Sequence, residues 1–254
     1  NHFSTVFKKE PQWNWNLTEE YVPPSYEKVD LVLTRDIISE KLRRLDTKKS
    51  PGPEGMNPRI FKELAQLLIE PLYIIYSLSI KIGKIPKAWK IASVTAIYKN
   101  KECKNEPDNY RPISLTCIAC RIMESIIRDN LLKYLKANNI ITNKQFGFLG
   151  GRSTVLQLLK VVDQWTEILD HNGVIDVIYC DFQKAFDSIT HASLWKALSQ
   201  QGVQEPYIQT LQKLYAKQTG RVKGNETSKP FKIARGTKQG DPLSPDLFNA
   251  VLES

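Results

Sequence analysis

The chain has 254 residues, 41% of them hydrophobic, and carries 36 lysines and arginines against 27 acidic residues, a formal net charge of +9. That length allows one large domain or two small ones with real cores, and the positive surplus suits a polyanion such as nucleic acid, although a solvated basic surface leaves the same signature. No apolar run approaches the ~18 residues of a membrane span, and no signal peptide is visible.

Residues 1–29, aromatic and dotted with proline (Trp13, Trp15, Pro23, Pro24), show no period and are expected to be a lead-in that packs on the body. From Thr34, a residue type suited to a helix N-cap, Ile38, Leu42 and Leu45 recur at helical spacing. Residues 48–55 read as a rigid proline and glycine turn with cationic shoulders, Lys48 and Lys49. Asn57 and Pro58 open a second helix whose apolar face is Phe61, Leu64, Leu68, Leu72 and Ile75, with Pro71 expected to bend or split it. A strand-like run covers 92–98 and a basic, irregular stretch covers 99–108. A helix over about 118–135 follows, and Asn138 and Asn139 mark a turn. Ser153 or Thr154 caps the next helix, which carries Leu156, Leu159, Val162, Ile168 and Leu169 and stops at Gly173. Residues 174–181 are rich in β-branched types and apolar on both faces near their end, which predicts a buried central strand. Helices are expected from about His191, over 206–215 and over 245–253, with a hairpin around Gly224-Asn225. The fold class is α+β, helix-rich at the front and mixed at the back.

Cys117 and Cys120 have the spacing of half a zinc site. They lie among Ile118, Ile122, Met123, Ile126 and Ile127 at helical spacing, without a second pair or a histidine cluster, so buried helix thiols are favoured over a zinc module. Nothing in the cysteine pattern suggests a disulfide framework, and a reducing, intracellular setting in cytoplasm or nucleus is expected. Asp181 ends the predicted strand. A carboxylate there is costly unless compensated, and a divalent metal is one compensator. On its own residues, a turn-capping role for Asp181 is the stronger reading.

Five segments, taken in order, add a resemblance. Ser50-Pro51-Gly52-Pro53-Glu54-Gly55, Asn109-Tyr110-Arg111-Pro112-Ile113-Ser114-Leu115, residues 145–154, Tyr179-Cys180-Asp181 with the following Phe182-Gln183-Lys184-Ala185-Phe186-Asp187, and Arg235-Gly236-Thr237-Lys238-Gln239-Gly240-Asp241-Pro242-Leu243-Ser244-Pro245 resemble the successive blocks of non-LTR (LINE-type) retrotransposon reverse transcriptases. The likeness covers roughly residues 30–254. It implies a right-hand polymerase fold, truncated, with helical fingers over 30–145 and a partial palm with an incomplete antiparallel sheet over 146–254. The implied activity is RNA-directed DNA synthesis: deoxynucleoside triphosphates are added to a DNA primer on an RNA template by two-metal catalysis with Mg²⁺, with no membrane involved.

By this resemblance Asp181 matches the first metal-binding aspartate, and the backbone carbonyl of Phe182 would be a further ligand. Phe186 matches a steric gate against the ribose 2′-hydroxyl, with ordinary core packing as the alternative. Lys99 and Arg111 match residues that hold the triphosphate, though Lys99 near Lys101 and Lys104 also resembles a solvated basic loop. Gln239 and Gly240 match the block under the nascent base pair, and Gly150, Gly151 and Arg152 a template-contacting turn. Glu54 and Leu149 depart from the family pattern. No Asp-Asp pair occurs in the chain. The family's second catalytic block is therefore expected beyond Ser254, the sequence reads as an excerpt that starts without Met, and this piece alone is expected to be inactive. A catalytically dead nucleic-acid-binding remnant, or a domesticated fragment, is the alternative.

Overall fold

The computed structural model describes residues 28–100, 103–224 and 226–254. The expected lead-in lies almost entirely outside the described residues, as does Asn225 of the expected hairpin. Helix α1 (Arg35–Arg43) starts where the sequence placed it: the Thr34 hydroxyl accepts the Ile37 N–H at 3.2 Å, and Ile38 and Leu42 are fully buried. Asn57 likewise caps α2 (Pro58–Glu63), its side chain accepting the Arg59 N–H at 2.9 Å.

The break that sequence assigned to Pro71 occurs upstream, at Leu64. That residue leaves helical geometry (φ −92°, ψ 17°), while α3 (Ala65–Ile82) is not split at Pro71. Pro71 removes one backbone hydrogen bond. Buried anchors on both sides of it, Ala65 before and Leu72, Tyr76 and Ser79 after, hold the helix to the core. Leu64 and Ile75, expected on the buried face, are exposed. Among the described residues α3 is also long and apolar enough, by length and composition, to cross a membrane, which the interrupted pattern around Glu70 and Pro71 concealed. One side of it packs into the core: Tyr76 is fully buried, and its hydroxyl donates to the Ala119 carbonyl at 2.7 Å.

The sheet has the order β2-β1-β3-β4. Strand β1 (Ile91–Tyr98) pairs antiparallel with β2 (Tyr110–Leu115) and parallel with β3 (Thr219–Val222), which pairs antiparallel with β4 (Phe231–Lys232). The sheet is therefore mixed, and it joins strands from both sides of the boundary expected at residue 145. The hairpin formed by β3 and β4 is the one anticipated around Gly224. Helix α4 (Ile118–Ala137) is the centre of the main core, presenting Ile122, Met123, Ile126, Ile127, Leu131 and Leu135 to its neighbours. Cys117 and Cys120 are buried in the same core, with Cys117 capping α4 by accepting the Cys120 N–H at 3.4 Å. Each fully buried Leu or Ile side chain contributes on the order of 1.5–3 kcal/mol. This one core accounts for why α4 packs where it does.

Helix α5 (Thr154–Asp170) is capped by Ser153, and the chain leaves it through Asn172, whose positive φ of 57° closes a Schellman turn onto Ile168 and Leu169 before Gly173. Its apolar stripe is not buried: Leu156, Leu159, Val162 and Leu169 are at least half exposed. The predicted central strand 174–181 is likewise overturned. The segment has no regular secondary structure, and Val174, Ile178 and Tyr179 are 88%, 87% and 87% exposed. An extended run becomes a strand only when a neighbour takes its N–H and C=O groups, and no strand of the described residues lies beside it. The chain then turns through α6 (Ala185–Ser188) into α7 (His191–Gln200), α8 (Glu205–Tyr215) and finally α9 (Ser244–Leu252), which add Leu194, Leu198, Leu211 and Leu247 to the core.

Candidate active site

The block 235–241 lies across the turn that follows Asp181. The Gly236 N–H donates to the Ile189 carbonyl and the Thr237 N–H to the Phe186 carbonyl, both at 2.7 Å, while the Ser114 N–H of β2 donates to the Gln239 carbonyl at 2.7 Å. Two glycines make the approach possible. A Cβ at Gly236 (φ 81°) would stand 2.9 Å from the Phe186 carbonyl oxygen, and one at Gly240 (φ 103°) 2.9 Å from the Ser114 oxygen. Between them Lys238 turns down into the core and Gln239 turns up. The Lys238 ammonium is 3.3 Å from Glu124 of α4 and 3.3 Å from Asp241, all three side chains at most 2% exposed. Burial alone would lower the Lys238 pKa, but Glu124 and Asp241 outweigh it and hold the group above its usual range. Burial, reinforced by Asp241 and opposed by Lys238, pushes Glu124 up to about 7.

This packing leaves a cavity of about 440 Å³ lined by Lys99, Asp108, Tyr110, Arg111, Pro112, Asp181, Phe182, Lys184, Ala185, Phe186, Asp187 and Gln239. Arg111 projects from β2 and is exposed, and its guanidinium has no ion-pair or hydrogen-bond partner among the described residues. The Lys99 ammonium donates to the Asp108 carbonyl at 2.7 Å, and Lys184 pairs with the Asp108 carboxylate at 2.9 Å. The first contact holds Lys99 to Asp108, and the second ties Asp108 to the 181–187 turn. Asp187 is buried and accepts the Gln239 side-chain N–H at 2.9 Å. Burial pushes its carboxyl up to about 6, against the opposing pull of Gln239, Lys184 and Lys99. The Phe186 ring stands edge-on to Phe148 at 5.8 Å and tilted against Phe248 at 4.9 Å. It packs and faces the cavity at once.

Six of the residues picked from sequence thus line one cavity: Lys99, Arg111, Asp181, Phe182, Phe186 and Gln239. Gly240 lines an adjoining hollow of about 180 Å³ that shares Phe186 and Gln239 with it. Gly150, Gly151 and Arg152 line neither. The Arg152 guanidinium is directed at the loop's own carbonyls, donating to Gln145 and, at 2.8 Å, to Thr142. Asp181 is exposed at the cavity, not at the end of a buried strand. Sequence reasoning missed Asp108, Lys184 and Asp187. The ion pair of Lys184 with Asp108 joins residues far apart in the chain and leaves no local signal, whereas Asp187, directly after Phe186, was there to be noticed. Glu54, which looked like a mild departure in a turn, caps the central helix: its carboxylate accepts the Ile118 N–H at 3.0 Å.

Residues 97–254, more than half of the chain, match the family model described as reverse transcriptase (RNA-dependent DNA polymerase). The chain therefore belongs to the reverse transcriptase family, and its similarity runs to the proteins of non-LTR retrotransposons. It is 29% identical over 213 residues to a probable RNA-directed DNA polymerase from transposon BS of Drosophila melanogaster, covering 84% of this chain and 23% of the relative. To the RNA-directed DNA polymerase from mobile element jockey of the same fly it is 28% identical over 249 residues, covering 96% of this chain and 27% of the relative. To the retrovirus-related Pol polyprotein from type-1 retrotransposable element R2 of Popillia japonica it is 32% identical over 174 residues, covering 67% and 24%. The chain spans about a quarter of the length of these curated relatives.

Proposed function

We propose that the chain is the fingers (30–145) and part of the palm (146–254) of a right-hand polymerase that copies an RNA template onto a DNA primer, and that the cavity holds the incoming deoxynucleoside triphosphate. One observation carries this reading. Residues chosen from four separate segments, Lys99, Arg111, Asp181 with Phe186, and Gln239, meet at one cavity. Lys99 supplies a point charge and Arg111 a planar fork for phosphate oxygens. Phe186 occupies the wall where a bulky ring excludes a sugar 2′-hydroxyl. Arg152 holds the glycine turn at Gly150 and Gly151 in shape, so a template strand would meet that turn through its backbone.

The donor chemistry fits Mg²⁺, a hard ion usually held by one or two carboxylates together with substrate phosphates. Asp181 offers an exposed carboxylate at the cavity, and Phe182, which also lines it, carries a backbone carbonyl one residue on. Asp181 and the Phe182 carbonyl would hold such an ion, which would supply activation of the primer 3′-hydroxyl and charge stabilisation of the leaving pyrophosphate. The protein's own part is to orient the triphosphate with Lys99 and Arg111 and to exclude the ribose with Phe186. Acids match bases around this cavity, Asp108, Asp181 and Asp187 against Lys99, Arg111 and Lys184. A triphosphate accordingly needs divalent cation to bind well. Calorimetric titration with a deoxynucleoside triphosphate tests this. Binding is expected only with Mg²⁺ and should weaken roughly tenfold or more in Arg111→Ala, the usual scale for a charge-assisted bond. Binding that is absent, or equal in Arg111→Ala, would contradict the assignment.

A further inference from the structure

Asp187 and Gln239 form a pair that none of the roles above uses. Gln239 is part-buried, and one N–H of its amide is committed to the Asp187 carboxylate at 2.9 Å. The Asp187 side chain comes from a turn locked from both sides: the Thr237 N–H holds the Phe186 carbonyl, and the Gly236 N–H holds the Ile189 carbonyl. The Gln239 backbone is fixed in turn by Ser114 of β2, and its neighbour Lys238 is held in the core by Glu124 and Asp241. The backbone around both partners is thus held, which keeps the two side chains within reach of each other. Burial raises the Asp187 carboxyl to about 6 while Lys184 and Lys99 oppose it, so above that pH the group is ionised. An ionised carboxylate has no hydrogen to give, so only the NH₂ side of the Gln239 amide can face it.

We propose that Asp187 is a positioning residue that fixes the polarity of the Gln239 amide, turning its carbonyl oxygen Oε1 toward the cavity as an acceptor for a donor group of the nucleotide. The proposal rests on the nucleotide reading of the cavity. Its consequence is an orientation rule. Phosphate oxygens carry no hydrogen and are repelled by an acceptor, so they are sent to the Lys99 and Arg111 end, while a sugar hydroxyl or base amino group is accepted at Gln239. In Asp187→Asn the side chain keeps its shape, but an amide can pair with Gln239 in either sense and the polarity is no longer fixed.

Two probes separate this from a structural role. Titration with a deoxynucleoside triphosphate and with inorganic tripolyphosphate, both with Mg²⁺, should show Asp187→Asn weakening the first about fivefold, the scale of one ordinary hydrogen bond. The second should be unchanged or slightly tighter, since a negative charge has been removed. Gln239→Ala should lose as much for the nucleotide, and adding Asp187→Asn to it should cost nothing further. Equal loss for both probes, or an undiminished Asp187→Asn effect in the Gln239→Ala background, would overturn the proposal. A readout without nucleotide keeps the two readings apart: the Gln239 side-chain amide resonances of the isotope-labelled chain, assigned by their loss in Gln239→Ala. They should move in Asp187→Asn, and they will do so even if no nucleotide binds and the cavity assignment fails. Resonances that stay in place sink the pair itself.

Discussion

Asp187 shows how a single side chain at this site works against the stability of the fold. A buried carboxyl prefers to keep its proton, and here burial pushes it from an ordinary 3.8 up to about 6. Through that window the folded chain keeps the proton while the unfolded chain has released it. The folded state therefore binds more protons, and its stability falls as pH rises across the window and is level above it. The loss is on the order of 2–3 kcal/mol. Asp187→Asn has no such titration. Chemical denaturation is expected to show the variant more stable than the unaltered chain at about pH 7.5, with the difference closing toward about pH 4. A difference independent of pH would mean that the burial of Asp187 has no energetic consequence. Phe186 is the opposite case: its contacts with Phe148 and Phe248 make it a packed ring as well as a wall of the cavity.

Among the elements, the sequence was most informative where a local signal decides the structure. Thr34 and Ser153 each cap the helix they were expected to cap, and Asn57 caps the helix it was expected to open, because an N-cap is read from one residue and the amides just after it. It was least informative where the answer depends on a neighbour. The apolar spacing of α5 shows which face is apolar but not whether anything lies against it, and the β-branched run 174–181 could not announce that the described residues provide no partner strand. Leu64 and Ile75 on the α2 and α3 stretch failed for the same reason, with Tyr76 and Ser79 taking the buried side. This difference can be measured. Leu131→Ala on α4, where the side chain is fully buried, should cost about 2–5 kcal/mol. Leu159→Ser on α5, where it is 62% exposed, should stay within about 0.5 kcal/mol of the unaltered chain. A large loss at Leu159 would show that the α5 face is covered in solution.

At the level of the whole molecule, one core and one sheet draw on both halves of the chain, so the site is assembled from segments distant in sequence. β2 brings Arg111, the 181–187 turn brings Asp181, Phe186 and Asp187, and the 235–241 block brings Gln239. That assembly was legible only as an order of motifs, because each block alone has a bland explanation. Contacts such as Lys184 with Asp108 and Lys238 with Glu124, which hold the blocks together, appear only once the chain is folded. The most direct measurement of the nucleotide-site assignment is amide hydrogen exchange along the full chain, with and without a deoxynucleoside triphosphate and Mg²⁺. Exchange should slow together at 110–112, 181–187 and 237–240, with α1 to α3 unchanged. Slowing confined to one of those segments, or centred on another part of the molecule, would contradict the assignment.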